Sequence, residues 1–156
     1  MSEKLIEYKT AKLAKEKNFE EKVQDWFDEN GNSTKVELTS DNEPIFKEDL
    51  ARQINKFEKG LNKNDISRPT QDQLRTWLRD KHQIYIEVKT DCTAEPKFSF
   101  EINVFKGNPR NLAEMEWGWY FHIQEPWYLY YLYEEALEDA LFEGLNLIGK
   151  DLAFDN

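Results

Sequence analysis

The chain has 156 residues, with 31 acidic against 21 basic side chains and a net charge of −10, and a field of that sign opposes the binding of nucleic-acid phosphates. The hydrophobic fraction of 39% and the aromatic fraction of 14% can fill the core of one domain, so the composition does not suggest a disordered chain. The single cysteine, Cys92, excludes an intrachain disulfide and a cysteine cluster for a metal ion.

Residues 1–66 are predicted to form a helical region that packs on or extends the core. Thr10 is placed to cap a short helix, and Asn18 with Glu21 has the spacing of a capping pair for a second helix. The second helix would present one apolar face at i, i+4, i+7 and i+8, formed by Phe19, Val23, Trp26 and Phe27. Residues 30–32, Asn-Gly-Asn, would end it.

The rest of this region gives weaker patterns. Residues 34–38 alternate as in a short strand. Residues 44–61 have a helical pattern, carried by Leu50, Ile54, Phe57 and Leu61. Residues 62–65 are polar and turn-like, which is typical of a linker.

Residues 67–150 carry the clearest pattern and predict a core in α-β-β-β-α order. A capping box at residues 70–73 begins a helix whose apolar face is formed by Leu74, Trp77 and Leu78. Three runs of period-two alternation follow, over residues 84–88, 98–104 and 115–124. A last helix is predicted over residues 134–148, and residues 151–156 form a tail.

The predicted fold class is therefore α+β, with N-terminal helices added to an antiparallel sheet. The sheet has three strands, or four if the residues before the last helix add another. Because each strand has one apolar face, we expect both core helices on the same face of the sheet. The opposite face is mostly polar, which predicts that it is solvated.

The acidic and aromatic side chains are concentrated in the last third of the chain. Residues 111–156 hold ten Asp or Glu against one base, Lys150, and eleven of the twenty-two aromatic residues. So many aromatic side chains need a surface to pack against, in the core or on a partner.

Two resemblances follow from these patterns. The order of core elements is similar to that of the double-stranded-RNA-binding domain, which needs bases at the start of its last helix to hold phosphates. The corresponding positions here are the four acids Glu134, Glu135, Glu138 and Asp139. Four acids at these positions would repel RNA, so we reject RNA binding.

Three short runs carry the second resemblance. They are residues 10–17 (TAKLAKEK) with Phe19, residues 69–71 with Leu74, Trp77, Leu78 and Arg79, and residues 133–137 (YEEAL). Their order and spacing resemble a group of uncharacterised small proteins from phages and prophages of Bacteroidetes-type bacteria. Residues 32–67 look like an insertion relative to that group. The resemblance implies a phage or prophage origin and brings no known activity.

The sequence contains little that points to catalysis or metal binding. The last helix has several acids, but acid–base catalysis needs carboxylates in a pocket, and acids in this pattern are typical of a solvent-exposed face. His82, Cys92 and His122 are the only imidazole and thiol side chains, and they lack the spacing of a metal site. No phosphate-binding glycine loop or nucleophile motif is present. We therefore predict no enzyme activity, no cofactor and no metal.

The predicted helix that begins at residues 70–73 carries a small basic patch. Arg75, Arg79 and Lys81 would pair with the acids of the last helix or lie in solvent.

Residues 1–20 are rich in Lys and Glu and do not resemble a secretory signal. No apolar run reaches the roughly eighteen residues of a membrane span. We expect a cytoplasmic protein of a bacterial host cell.

Residues 127–133 (WYLYYLY) form the most informative candidate site. Both alternating faces of this run are apolar or aromatic, so one core cannot easily bury all of it. One interpretation is a buried fourth strand or an early helix start beneath the N-terminal helices. The other is an exposed patch for a partner or a second subunit. The candidate partner-binding residues are Trp127, Tyr128, Tyr130, Tyr131, Glu134 and Glu138.

Three functions remain as hypotheses at this point. The first is a non-enzymatic interaction or self-assembling protein of phage or prophage origin, whose partner is a second copy or a host or phage protein. The alternative is an acidic DNA mimic that inhibits a host nucleic-acid-binding protein, of the anti-restriction or anti-CRISPR type. The third is an enzyme with a site between the sheet and the N-terminal helices, which would need a pocket that gathers several of His122, Glu116, Tyr120 and Arg79.

Overall fold

The computed structural model describes residues 3–28, 30–35, 37–38, 44–45, 64–93, 95–105, 121–124 and 129–150. The chain divides into two compact units. Residues Leu5–Thr70 form the N-terminal unit, and Met1–Lys4 together with Gln71–Asn156 form the C-terminal unit. Both helices and antiparallel strands are present, so the predicted α+β class is confirmed.

The N-terminal unit combines one described helix with short strands. Helix α1 spans Tyr8–Glu16, and the strands are β1 Asp25–Phe27, β2 Ser33–Lys35, β3 Glu37–Leu38, β4 Pro44–Ile45 and β5 Ile66–Ser67. Strand β1 lies between β2 and β5, and β3 pairs with β4, all in antiparallel pairs. The buried apolar side chains of this unit are Ile6, Ala11, Ala14, Phe19, Trp26, Phe27 and Ile66.

The predicted second helix over residues 18–29 is wrong, because β1 occupies the end of this segment. Trp26 and Phe27 point to opposite faces of the strand, and both are buried. The Asp28 carboxylate then accepts the backbone N–H groups of Asn30 and Asn32, each at 2.9 Å. Gly31 supplies the positive φ of +80° that the turn requires. The Asn-Gly-Asn signal therefore closes a β1–β2 hairpin and does not end a helix.

Two other predictions for this unit also need correction. Helix α1 begins at Tyr8 with Glu7 at its N-cap, so Thr10 is a buried residue of the helix and not its cap. Of the helix predicted over residues 44–61, Pro44–Ile45 forms a strand, and residues 46–61 lie outside the described residues. The strand pattern at residues 34–38 falls on β2 and β3.

In the C-terminal unit, helices pack against an antiparallel sheet. The elements are α2 Gln71–His82, β6 Ile84–Thr90, β7 Phe98–Val104, β8 Phe121–Gln124 and α3 Tyr133–Leu147. Gln83 has a positive φ of 56°, which ends α2 and turns the chain directly into β6. Strand β6 pairs with β7 from Ile84 opposite Val104 to Thr90 opposite Phe98, and β8 pairs with the last four residues of β7.

The core of this unit lies where α2, α3 and the apolar face of β6 and β7 meet. Its most deeply buried side chains include Leu74, Leu78, Ile84, Phe100, Ile102, Leu137, Leu141 and Leu145. Gly144 marks the closest approach of the helices. A Cβ at this position would lie 3.1 Å from Ile86 Cδ1 and 3.3 Å from Leu78 Cδ1. The absence of a side chain at Gly144 is thus what lets α3 approach α2 and β6 so closely.

The opposite face of β7 differs from the prediction that it is solvated. Ser99, Glu101 and Asn103 alternate with the apolar residues, yet all three are buried. The Glu101 carboxylate forms an ion pair with Lys89 Nζ on β6 and accepts a hydrogen bond from Asn103 Nδ2 at 3.0 Å. Alternation assigns residues to a face, but it does not tell whether that face is covered.

Candidate interaction surface

The residues just before α3 are exposed although they are large and apolar. We call residues 129–133 the aromatic segment. The exposed fractions are 55% for Leu129, 68% for Tyr131, 53% for Leu132 and 38% for Tyr133. Trp127 and Tyr128, which belong to the same predicted site, lie outside the described residues. For the described part of the run, exposure agrees with the surface-patch interpretation and not with a buried strand.

Tyr130 holds this segment to the sheet. Its N–H donates to the Phe98 carbonyl at 3.1 Å, and its own carbonyl accepts the N–H groups of Phe98 and Lys97 at 3.0 and 3.1 Å. The Tyr130 hydroxyl donates to Asp139 Oδ2 at 2.8 Å, on the second turn of α3. Tyr130 is therefore half-buried and held through both its backbone and its hydroxyl group, while its neighbours on either side are exposed.

The acids of α3 are divided between surface and interior. Glu134 is half-buried and Glu135 is exposed, as expected for the first turn of a helix whose N-terminus favours negative charge. Glu138 is only 4% exposed, so the prediction that it lies on a solvent-exposed face is wrong, and its burial gives no support to the prediction that it binds a partner.

The burial of Glu138 has a clear physical cause. Gln71, the first residue of α2, lies beside this part of α3. Its Nε2 donates to Glu138 Oε2 at 3.0 Å and to the Glu134 carbonyl at 2.9 Å. A buried carboxylate needs such donors, because leaving it without hydrogen bonds would cost several kcal/mol. Gln71 and Glu138 thus join the start of α2 to α3, and Glu138 contributes to the fold and not to the surface.

A polar border lies beside the aromatic segment. The Tyr133 hydroxyl accepts a hydrogen bond from Arg75 Nη1 at 3.3 Å, and Arg75 Nη2 lies 2.8 Å from Asp72 Oδ1. The Tyr133 ring meets Phe98 edge to face, with 6.1 Å between the ring centres. An apolar centre with a polar, solvent-accessible rim is the arrangement that protein interfaces share.

Of the two predictions for the basic residues of α2, the structure agrees with exposure to solvent, since Arg79 and Lys81 are exposed. Arg75 pairs with Asp72 on its own helix, and Arg79 Nε lies 2.8 Å from Asp80 Oδ1. The hydrogen bond to Asp80 and the charge of its carboxylate raise the pKa of Arg79. Because these pairs lie within α2, the positive patch is largely neutralised locally.

The other chemically reactive residues belong to different segments of the C-terminal unit. His82 lies against the Trp77 ring, 4.5 Å between centres, and its burial lowers its pKa. Cys92 is exposed in the turn after β6, and β8 places His122 opposite Asn103. Among the described residues, no three His, Cys, Asp or Glu side chains are grouped as metal ligands would be. Glu116 and Tyr120, the other members of the postulated catalytic pocket, lie outside the described residues.

Sequence reasoning missed two features of this surface. It did not single out Leu129 and Leu132, although both belong to the run and are more than half exposed. It also missed Gln71 as the partner of Glu138, since the two lie 67 residues apart. The exposure of Leu129 and Leu132 would follow from the sequence if the run is interpreted as a short extended stretch in which only Tyr130 points inward. The contact between Gln71 and Glu138 has no signal in the local sequence.

A comparison of the chain with protein-family models, curated proteins and solved structures finds no match. None of the helices within the described ranges has both the length and the apolar character that crossing a bilayer requires.

Proposed function

We propose that this chain is a non-enzymatic protein-interaction or self-assembling protein of phage or prophage origin, and that it contacts its partner through the aromatic segment. The partner is a second copy or a host or phage protein. The observation that carries the proposal is the exposure of Leu129, Tyr131, Leu132 and Tyr133 within five residues. Exposed apolar patches with tyrosine at the centre are typical of protein interfaces.

The attachment of the segment supports the same function. Tyr130 fixes the backbone to β7, and α3 begins at Tyr133, so the exposed side chains stand on ordered structure. A contact surface that is already ordered loses little conformational entropy when a partner binds. The segment can therefore contribute more of its apolar burial to affinity than a flexible loop of the same composition.

Three further aspects belong to this proposal. We propose that residues 67–150 act as one α-β-β-β-α unit with both helices on one face of the sheet. The contact of Gly144 with Leu78 of α2 and Ile86 of β6 supports this arrangement. We also propose a cytoplasmic location, in line with the single cysteine and its exposure. The phage or prophage origin rests on the three short runs in residues 10–19, 69–79 and 133–137.

The acidic DNA mimic remains the alternative, motivated by the charge of −10. Such a mimic needs an exposed row of carboxylates spaced like phosphates. On α3, Glu138 is buried and Asp139 accepts the Tyr130 hydroxyl, which leaves Glu134, Glu135 and Glu143. The acids of this helix therefore favour the interaction surface over the mimic.

Sedimentation velocity of Tyr131 variants tests the proposal. Tyr131→Ser removes the most exposed ring, whereas Tyr131→Phe keeps the ring and removes only the hydroxyl. We expect the wild type and Tyr131→Phe to associate at about 10–100 μM, and Tyr131→Ser to raise the dissociation constant roughly 30-fold, the effect of losing an interface hot spot. For a heterologous partner, capture from bacterial extract with the same three proteins should give the same ranking.

Two results would contradict the proposal. One is a wild type that stays monomeric and captures no protein from the extract. The other is equal association by Tyr131→Ser and Tyr131→Phe.

A further inference from the structure

We propose that the outer edge of β6 is a second contact surface, and that it pairs with β6 of a second copy to form a continuous antiparallel sheet. The inference rests on the proposed function, since it assumes that the chain works by protein–protein contact. It adds a surface that the aromatic segment does not include.

The first argument is the direction of the backbone groups. The Phe105 N–H donates to the Gln83 carbonyl and the Asp91 N–H to the Lys97 carbonyl, which fixes the odd-numbered residues of β6 as those bonded to β7. The N–H and C=O groups of Ile84, Ile86, Val88 and Thr90 therefore point away from β7. Within the described residues, no strand pairs with β6 along this edge.

The second argument is the length and composition of the edge. A seven-residue edge strand exposes a row of donors and acceptors that another strand can use. Proteins protect such edges with proline, bulges, very short strands or charged side chains. Strand β6 contains no proline and spans seven residues, and its charged side chains, Glu87 and Lys89, have opposite signs. Val88 is half-buried and Thr90 is exposed, so the helices leave this end of the strand accessible.

The third argument is charge complementarity, which also selects the occupant and the register. If a twofold axis passes beside Val88, Glu87 of one copy lies opposite Lys89 of the second copy, and the reciprocal pair forms by symmetry. A register centred on Glu87 would instead place two carboxylates directly opposite each other, which is destabilising. Glu87 is exposed. Lys89 already forms an ion pair with Glu101, and because 35% of its side chain is exposed, its ammonium group can contact a second carboxylate as well.

This surface is separate from the aromatic segment. Thr90 pairs with Phe98 on one side of β7, and Tyr130 bonds to Phe98 on the other side. The outer edge of β6 and the aromatic segment thus lie on opposite sides of β7, and each can be altered by mutation without changing the other.

Site-directed disulfide formation tests the register. In a Cys92→Ser background, Val88→Cys places two thiols at the twofold axis, where paired Cα atoms lie about 5.5 Å apart, within disulfide range. The matched control is Thr90→Cys in the same background, because Thr90 of the two copies would be offset by roughly 14 Å along the strands. We expect Val88→Cys to form a covalent dimer under mild oxidation and Thr90→Cys to remain a monomer.

A charge variant and a patch variant complete the test. Glu87→Lys should raise the dissociation constant of the dimer roughly tenfold, because both symmetric pairs become repulsive. Tyr131→Ser should leave the Val88→Cys cross-link unchanged. If Tyr131→Ser weakens association but Val88→Cys forms no cross-link, the edge inference fails while the proposed function stands. If Val88→Cys forms the cross-link but Tyr131→Ser associates as strongly as Tyr131→Phe, the edge inference stands and the role of the aromatic segment fails. Equal cross-linking of the two cysteine variants, no cross-linking of either, or pairing of β6 with a foreign peptide alone would overturn the inference.

Discussion

Replacing Gln71 by alanine should destabilise the C-terminal unit substantially, although the residue is uncharged and lies far in sequence from its partners. The side chain is buried, and its Nε2 donates both to the Glu138 carboxylate and to the Glu134 carbonyl. A hydrogen bond to a charged group contributes about 1.5–3 kcal/mol and a neutral one about 0.5–1.5 kcal/mol. Alanine and glutamine have similar helix propensities, so propensity does not offset the loss. We expect the free energy of unfolding to fall by about 2–3 kcal/mol.

Urea denaturation followed by the helical circular dichroism signal measures this loss. Lys81→Ala is the control, since Lys81 is exposed on the same helix, and it should change the free energy of unfolding by less than about 0.5 kcal/mol. The double variant with Glu138→Ala isolates the pair, and its coupling energy should be about 1–2 kcal/mol. Two results would refute the idea that Gln71 and Glu138 join α2 to α3. One is a loss of stability for Gln71→Ala no larger than that for Lys81→Ala, and the other is an additive effect of Gln71→Ala and Glu138→Ala in the double variant.

Three further predictions concern packing, titration and the hairpin turn. Gly144→Val should lower the free energy of unfolding by about 2–3 kcal/mol in the same urea assay, because its side chain would collide with Leu78 and Ile86, whereas Glu143→Val on the exposed side should cost less than about 1 kcal/mol. The pKa of His82 is lowered in the folded state, so the unfolded chain binds the proton more readily. The free energy of unfolding should therefore keep its full value above the ordinary histidine pKa of about 6.5 and should fall as the pH drops below it. His82→Gln should flatten that part of the stability curve between pH 7 and pH 5, and an unchanged slope would contradict the assignment. Asp28→Ala should speed amide hydrogen exchange at Asn30 and Asn32 by roughly fivefold, whereas Asp28→Asn, which retains the side-chain carbonyl, should have a smaller effect.

The C-terminal unit follows its sequence pattern closely because its signals are local. Leu74, Trp77 and Leu78 share one face of α2, and two of the three alternating runs coincide with β6 and β7. Of the third run, residues 121–124 are described, and they form β8. The helix α2 and the strands β6 and β7 each turn one apolar face to the core, as periodicity assumes, so the period is enough to place them even though the polar face of β7 is buried as well.

The N-terminal unit departs from its pattern because a helical spacing can arise from a strand that is buried on both sides. Trp26 and Phe27 match the i+7 and i+8 positions of a helix, but they are neighbours on opposite faces of β1. Their backbone partners on β2 and β5 lie elsewhere in the sequence. Pairing with β2 through the hairpin and with the distant strand β5 therefore overrides the local helical preference.

The candidate site shows where sequence reasoning stops. Residues 127–133 are apolar on both alternating faces, so the period could not say which side chains point outward. The anchoring of Tyr130 by Phe98 and Asp139 decides this, and both are contacts between separate elements. In the same way, the polarity of Glu138 predicted a surface position, whereas a hydrogen bond from Gln71 stabilises its carboxylate in the interior.

Methyl NMR of a leucine-labelled protein tests the central claim most directly, because Leu129 and Leu132 belong to the aromatic segment while Leu74 and Leu78 are fully buried. Spectra are recorded from about 10 to 500 μM and then with bacterial host extract. The proposed contact predicts that the Leu129 and Leu132 methyl signals shift or broaden on association while those of Leu74 and Leu78 stay unchanged. Association that leaves Leu129 and Leu132 unchanged, or no change under any of these conditions, would contradict it.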